Sequence, residues 1–542
     1  MRWLVLCSIF SLSVLSADIP SYSELLKAPK GLAKDYYIYR YASEKNPNKA
    51  ELKELQKLIF RNSGKIKKLF ESKVGVLKLP PECEGDIYAA SPACQKDLLS
   101  KKYLEDLSKE QRESLAQYFK DKDSDLYTLS MAMNSPDPLG YINASGNIWA
   151  YYRYLGASVN LANELRKIRP SRAMWASLSK SNSFLNLLSE AVVKGENSAL
   201  KSWLLELNPS EPEGMAAFWA GLNALLSGDE KKAELFFEQA AKTTASASGR
   251  DQALFWHYLL TKSQTSLKTL SNSKDINMYS LYAKEITGNN KLEVIVPQPV
   301  QVGLKGYDIS DPFTWQRTKD EAAKLKGKEL ANYALKFYTK TTQGEFSYFM
   351  ERVYKGARHY FPTPFMEFIG TNDISRQALI LAIARQESRF IPSAVSVSYA
   401  LGMMQFMPFV ANDIGKKKLA IPGFKEDDMF KPRVAYEFAN YHLNYLEKYL
   451  KNPIFVAYAY NGGIGFTRRM ITGGKLFNAN TSKYARFEPF ISMELVPFAE
   501  SREYAKKVLA NYVIYSSILG SNIKISKFFE KLAIPGGAES FR

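Results

Sequence analysis

The chain has 542 residues, with 73 Lys and Arg against 55 Asp and Glu, a formal charge of +18, and only three His and three Cys. That length exceeds a single hydrophobic core and implies two or three domains. The basic balance favours anionic partners such as cell-wall polymers or membrane surfaces and also serves solubility, while His257, His359 and His442 lie too far apart in sequence to suggest a metal site.

The first segment, "MRWLVLCSIFSLSVLSAD", places one positive charge before a short apolar run that ends in Ser16-Ala17. This is the pattern of a secretory signal peptide over residues 1–17, and the run is short for a membrane anchor. No later run approaches a membrane span, so no stable membrane insertion is expected after the signal is removed. Export and the lack of a clustered basic arm argue against nucleic acid as a partner. Cys83 and Cys94 remain in the mature chain, eleven positions apart in "PECEGDIYAASPAC". In an exported protein this spacing suggests a structural disulfide clipping one loop, and it fits no zinc pattern.

Residues 18 to about 290 read as successive helices joined by short turns. The clearest unit is "GMAAFWAGLNALLSGDEKKAELFFEQAAKTT", two apolar-striped helices around the turn Gly228-Asp229. It resembles one hairpin of a tetratricopeptide-like array, which predicts an α-superhelical solenoid over residues 18–300. "NKLEVIVPQPVQVG" then breaks the pattern with β-branched residues and two prolines. Two or three further helices, beginning at "DPFTWQR", predict a small helical linker domain over 301–362. The prolines of "FPTPF" introduce the last unit, 363–542. The fold class is mainly α.

In that last unit, "ISRQALILAIARQESRF" reads as a helix that Asp373 or Ser375 caps. Ile380, Ile383 and Ala384 form an apolar stripe, and Glu387 continues it. A carboxylate on a buried stripe is costly unless it is paired, neutral or chemically used. Burial is expected to raise its pKa above the usual ~4.3. Three further segments follow: "GMMQFMP" (402–408), "AYNGG" (459–463) and "ELVPFAESREYAKKV" (494–508). They supply amides, hydroxyls, aromatic rings and close-approach glycines, which suit a neutral, polar carbohydrate. No phosphate loop is present, since "TGGKL" lacks the upstream glycine and the hydroxyl after lysine. "GGIGF" is no dinucleotide fingerprint, and no GxSxG accompanies the histidines. Each segment alone has a plain reading: methionines as core filling, Gly462-Gly463 as a helix cap, Glu500 and Arg502 as a surface ion pair.

Together and in this order, the segments resemble those of the soluble lytic transglycosylases of Gram-negative bacteria, the Slt type with a goose-lysozyme-like catalytic domain. The family motifs Glu-Ser, Gly-Leu-Met-Gln-x-Met-Pro, Ala-Tyr-Asn-x-Gly and Glu-Thr-Arg-x-Tyr read here as Glu387-Ser388, "GMMQFMP", "AYNGG" and "ESREY", with Met403 for Leu and Ser501 for Thr. The resemblance implies a periplasmic enzyme with a helical superhelix, a linker domain and a lysozyme-like domain. It implies Glu387 as the sole catalytic acid and base. It also implies a sugar groove lined by Ser396, Gln405, Met407, Tyr460, Asn461 and Glu500, with no cofactor and no metal. The implied partner is the glycan strand of peptidoglycan, with other cell-wall enzymes as further partners through the solenoid. The implied reaction cleaves the β-1,4 bond between N-acetylmuramic acid and N-acetylglucosamine and closes a 1,6-anhydro ring. Two other readings stay open. One is a lysozyme-type hydrolase with Asp373 or Glu500 as second acid; the other is a wall-binding scaffold without activity.

Overall fold

The computed structural model describes residues 19–76, 83, 85–156, 160–473, 476–478 and 484–533. The signal peptide expected over residues 1–17 lies outside them. Among the described residues helices dominate. The strands form one short parallel pair, Val294–Ile295 with His359–Tyr360. No described helix is long and apolar enough to cross a membrane. The chain divides into two compact units that alternate in sequence: residues 1–77, 293–445 and 518–520, then residues 78–292, 446–517 and 521–542.

The first unit joins the N-terminal helices to much of the segment that carries Glu387. From helix Leu32–Glu44, the hydroxyls of Tyr36 and Tyr37 donate to the Asp427 carboxylate at 2.7 and 3.2 Å. Arg40 adds a donor at 2.9 Å. Burial pushes the Asp427 carboxyl up from its ordinary range, against the pull of Arg40 and the two hydroxyls. In the "DPFTWQR" stretch, Asp311 caps helix Pro312–Ala323 by accepting from the amides of Phe313 and Thr314, both at 2.9 Å. That orients Trp315 into a cluster with Tyr333, Phe337 and Phe349.

Helix Ile374–Ser388 runs through this unit. Asp373 is its cap, accepting from the Ser375 amide at 3.0 Å. Residues Ala378 through Ala384 are all buried, so the helix is enclosed on every side rather than along one stripe. The helix ends because Arg389 and Phe390 adopt left-handed backbone, with φ of 57° and 66°. Gly344, in helix Gln343–Val353, lets this turn approach: a Cβ there would lie 2.6 Å from the Phe390 carbonyl oxygen.

In the second unit, the helices from Asn182 to Thr287 pack on their neighbours in chain order, as stacked helical hairpins do. The predicted hairpin is present as Gly214–Leu226 and Glu230–Thr243, with Asp229 capping the second helix. Cys83 and Cys94 are joined by a disulfide that packs with Ala90. The fully buried Glu494 fastens later residues to the hairpins. It accepts from Tyr279 at 2.7 Å, Gln252 at 2.9 Å, Trp256 at 3.2 Å and Lys506 at 2.6 Å. Burial alone would raise its pKa, but Lys506 and the neutral donors hold this carboxyl below its ordinary value.

Candidate active site

Two groups of the sequence-predicted residues are built separately, one in each unit. In the first unit, Glu387 sits in the last turn of the enclosed helix, where burial gives way to half-burial. The expected buried stripe therefore stops short of it. A buried stem thus carries a half-buried glutamate at its end. Its neighbours on either side are immobilised. Arg385 donates to Glu351 at 3.0 Å and to the Tyr360 carbonyl at 3.0 Å, and Arg389 pairs with the same Glu351. Ser388 donates to the Met403 carbonyl at 2.8 Å and accepts from the Ile391 amide at 3.1 Å. The Glu-Ser pair thus ties the end of the helix to the "GMMQFMP" loop.

That loop is itself folded tightly. Leu401 bridges both Val395 and Phe406. Ser396 accepts from the amides of Ala400 at 2.9 Å and Ser398 at 3.2 Å, fixing the approach to the loop. Gln405 adopts a positive φ of 51°, and its Nε2 donates to the carbonyls of Gly402 at 2.7 Å and Ala394 at 3.2 Å. Gly402 has φ 77° and lies so near the Met429 carbonyl that a Cβ would come within 2.0 Å of it. Met407 is half-buried and precedes helix Pro408–Asn412. Met403 and Met404 are core.

In the second unit, Tyr460 and Asn461 occupy the end of helix Pro453–Gly462, both half-buried. Asn461 donates to Glu500 at 3.1 Å and accepts from Ser501 at 2.6 Å. These residues border a cleft of about 360 Å³ whose wall includes Phe498. Glu500 and Arg502 do not form the surface pair that their spacing allows. Arg502 is buried, donates to the Val496 carbonyl at 2.8 Å and stacks over Trp219.

Sequence reasoning passed over several supports of the site. Glu351 is the shared partner of Arg385 and Arg389, and nothing in its local spacing marks it. His442 places its ring 5.8 Å from that of Phe406 in the loop, and burial depresses its pKa to about 4. At neutral pH it is an uncharged packing group. No group of three His, Cys, Asp or Glu able to hold a metal occurs among the described residues.

Residues 367–482 match the family model described as the Transglycosylase SLT domain. The soluble lytic murein transglycosylase of Salmonella typhimurium is 32% identical over 158 residues, 29% of this chain and 23% of that protein. A putative soluble lytic murein transglycosylase of Haemophilus influenzae is 36% identical over 140 residues, 26% of this chain and 22% of that protein. The chain thus spans less than a quarter of the length of these relatives. Among solved structures, the complex of the 70-kDa soluble lytic transglycosylase with bulgecin A is 18% identical, with a TM-score of 0.47 over 93% of this chain and 84% of that one.

Proposed function

We propose that this chain, whose residues 367–482 match the transglycosylase SLT domain model, is an exported peptidoglycan lytic transglycosylase with Glu387 as its single catalytic acid and base. The observation that carries the reading is the placement of Glu387. It lies in the last turn of a helix whose middle, Ala378 to Ala384, is buried, and the adjacent Ser388 holds the "GMMQFMP" loop beside it. Glu387 in its protonated form donates to the glycosidic oxygen as the bond from the muramoyl C1 breaks. The substrate's 2-acetamido group stabilises the oxocarbenium-like centre, as in substrate-assisted glycosidases. The ionised Glu387 then takes the proton of the muramoyl 6-hydroxyl as that oxygen attacks C1 and closes the 1,6-anhydro ring. The intramolecular hydroxyl outcompetes water through its high effective molarity. In this reading Ser396, Gln405 and Met407 are sugar-binding residues of the first unit, and Tyr460, Asn461 and Glu500 are sugar-binding residues of the second.

The hydrolase alternative with a second acid to activate water calls on Asp373 or Glu500. Asp373 does not serve, because it caps the opposite end of the helix, about 21 Å along the axis from Glu387 at 1.5 Å per residue. Mass spectrometry of the muropeptides released from purified sacculi tests the reading. Anhydro ends support it and reducing ends refute it, while binding without release would indicate a scaffold.

A further inference from the structure

We propose that Arg61 and Lys65 form an anion-binding subsite that takes the free carboxylates of the peptide attached to the glycan, an inference that rests on the peptidoglycan reading above. The two side chains enter a cleft of about 430 Å³ whose other wall includes Val397, Ser398, Tyr399 and Met407. N-terminal helical residues and the loop tied to the Glu387 helix therefore share one concavity within the first unit. The Lys65 ammonium stands 4.3 Å from the Tyr399 ring centroid and 4.9 Å from that of Tyr39. Two aromatic faces thus hold a charge that has no carboxylate partner among the described residues. The Arg61 guanidinium donates to Ser63 at 3.2 Å and likewise has no ion pair among them.

The acids nearby are already engaged. Asp35, at the floor of the cleft, is fully buried and accepts from the amides of Phe60 at 2.7 Å and Arg61 at 2.8 Å. Glu426, whose field reaches Lys65, is paired with Arg40 at 3.2 Å. The first turn of helix Gly64–Val74, which carries Lys65, holds no acidic residue. Two unpaired cations on a shared wall leave a positive potential that a carboxylate-bearing ligand would complete. Beside Ser398 and Tyr399, the other wall offers apolar surface: Val397 is 56% exposed, and Met407 is half-buried in the cleft lining. A short peptide with free carboxylates and small aliphatic side chains matches both walls. A bare sugar needs neither cation.

The test compares glycan strands that carry their peptides with strands stripped of them, using the full chain and the Arg61→Ala/Lys65→Ala variant. Both positions are exposed, and an unchanged thermal melt checks that the fold is retained. The expected result is a KM raised about tenfold on peptide-bearing strands, the loss of roughly one good charge-assisted contact. KM on stripped strands and kcat on both should not change, and Lys65→Arg should restore most of the loss. An equal effect on both substrates, or no effect on either, would overturn the proposal. If the wild type cleaves neither substrate, the enzymatic reading fails. Calorimetric titration with a free stem tripeptide then decides this inference by itself. Binding lost in the double variant supports it, and unchanged binding or no binding to the wild type overturns it. Inorganic phosphate binding as tightly as the tripeptide would also overturn the peptide assignment.

Discussion

Glu345 offers a sharp test of the electrostatics in the first unit. It lies in the first turn of helix Gln343–Val353, is 1% exposed, and neither carboxylate oxygen has a hydrogen-bond partner among the described residues. Burial raises its pKa to about 8. Because the folded pKa lies above the unfolded value, the unfolded state releases this proton first as pH rises. Stability is therefore lost as pH climbs from about 4.5 towards 8 and changes little beyond. At 1.36 kcal/mol per pKa unit, the penalty is about 1 kcal/mol at pH 5, about 3 at pH 7 and about 5 at pH 9. Glu345→Met keeps the volume and removes the titration. It should stabilise helix Gln343–Val353 by amounts that grow with pH in that order, less any loss from imperfect packing. Amide hydrogen exchange of that helix at the three pH values reads the change locally, apart from the unfolding of the other unit. A gain that stays constant with pH, or a loss at pH 9, would refute the buried, unpartnered carboxyl.

Other expectations concern neighbouring parts of the molecule. His442, with a folded pKa of about 4, takes up its proton later than the unfolded chain does. The first unit should lose about 2 kcal/mol between pH 7 and pH 5 from this group. His442→Leu should flatten that limb of a urea-denaturation series, and an unchanged limb would contradict the assignment. Lys506→Ala leaves the Glu494 carboxylate buried without its cation and should cost about 3–5 kcal/mol. Adding Glu494→Gln should recover part of that loss in the same melts. Ser388→Ala removes the tie to the Met403 carbonyl and should cost about 1 kcal/mol in stability. On sacculi it should lower kcat while Glu387 is intact, and an unaltered kcat would mean that the loop does not depend on this bond. Glu387→Gln should melt as the wild type does and release no muropeptides, whereas retained release would sink the catalytic assignment.

Local chemistry made some of this legible in the sequence. The capped, apolar helix Ile374–Ser388 and the hairpin Gly214–Thr243 follow from caps, turns and helical periodicity, which depend on residues close in the chain. The four polar segments of the last unit stand out because helix packing does not require Gly402, Gln405 or Asn461 where they occur. What stayed hidden depends on partners far along the chain. Asp427 looks like one acid in an exposed "KEDDMF", yet it is buried beneath Tyr36 and Tyr37, about 390 positions earlier. Glu494 looks like part of a surface helix until Gln252, Trp256 and Tyr279 close over it. The apolar stripe also misled about Glu387. Periodicity gives the facing of a side chain but not where the surrounding protein ends, and here it ends between Ala384 and Arg385.

The central claim is that a sugar hydroxyl, rather than water, completes the reaction at Glu387. Digesting purified sacculi in water enriched in oxygen-18 tests it directly by the mass of the new muramoyl ends. Ends that carry no label and weigh one water less than the reducing sugar are the predicted result. Ends that incorporate the heavy oxygen would make this chain a hydrolase and contradict the account.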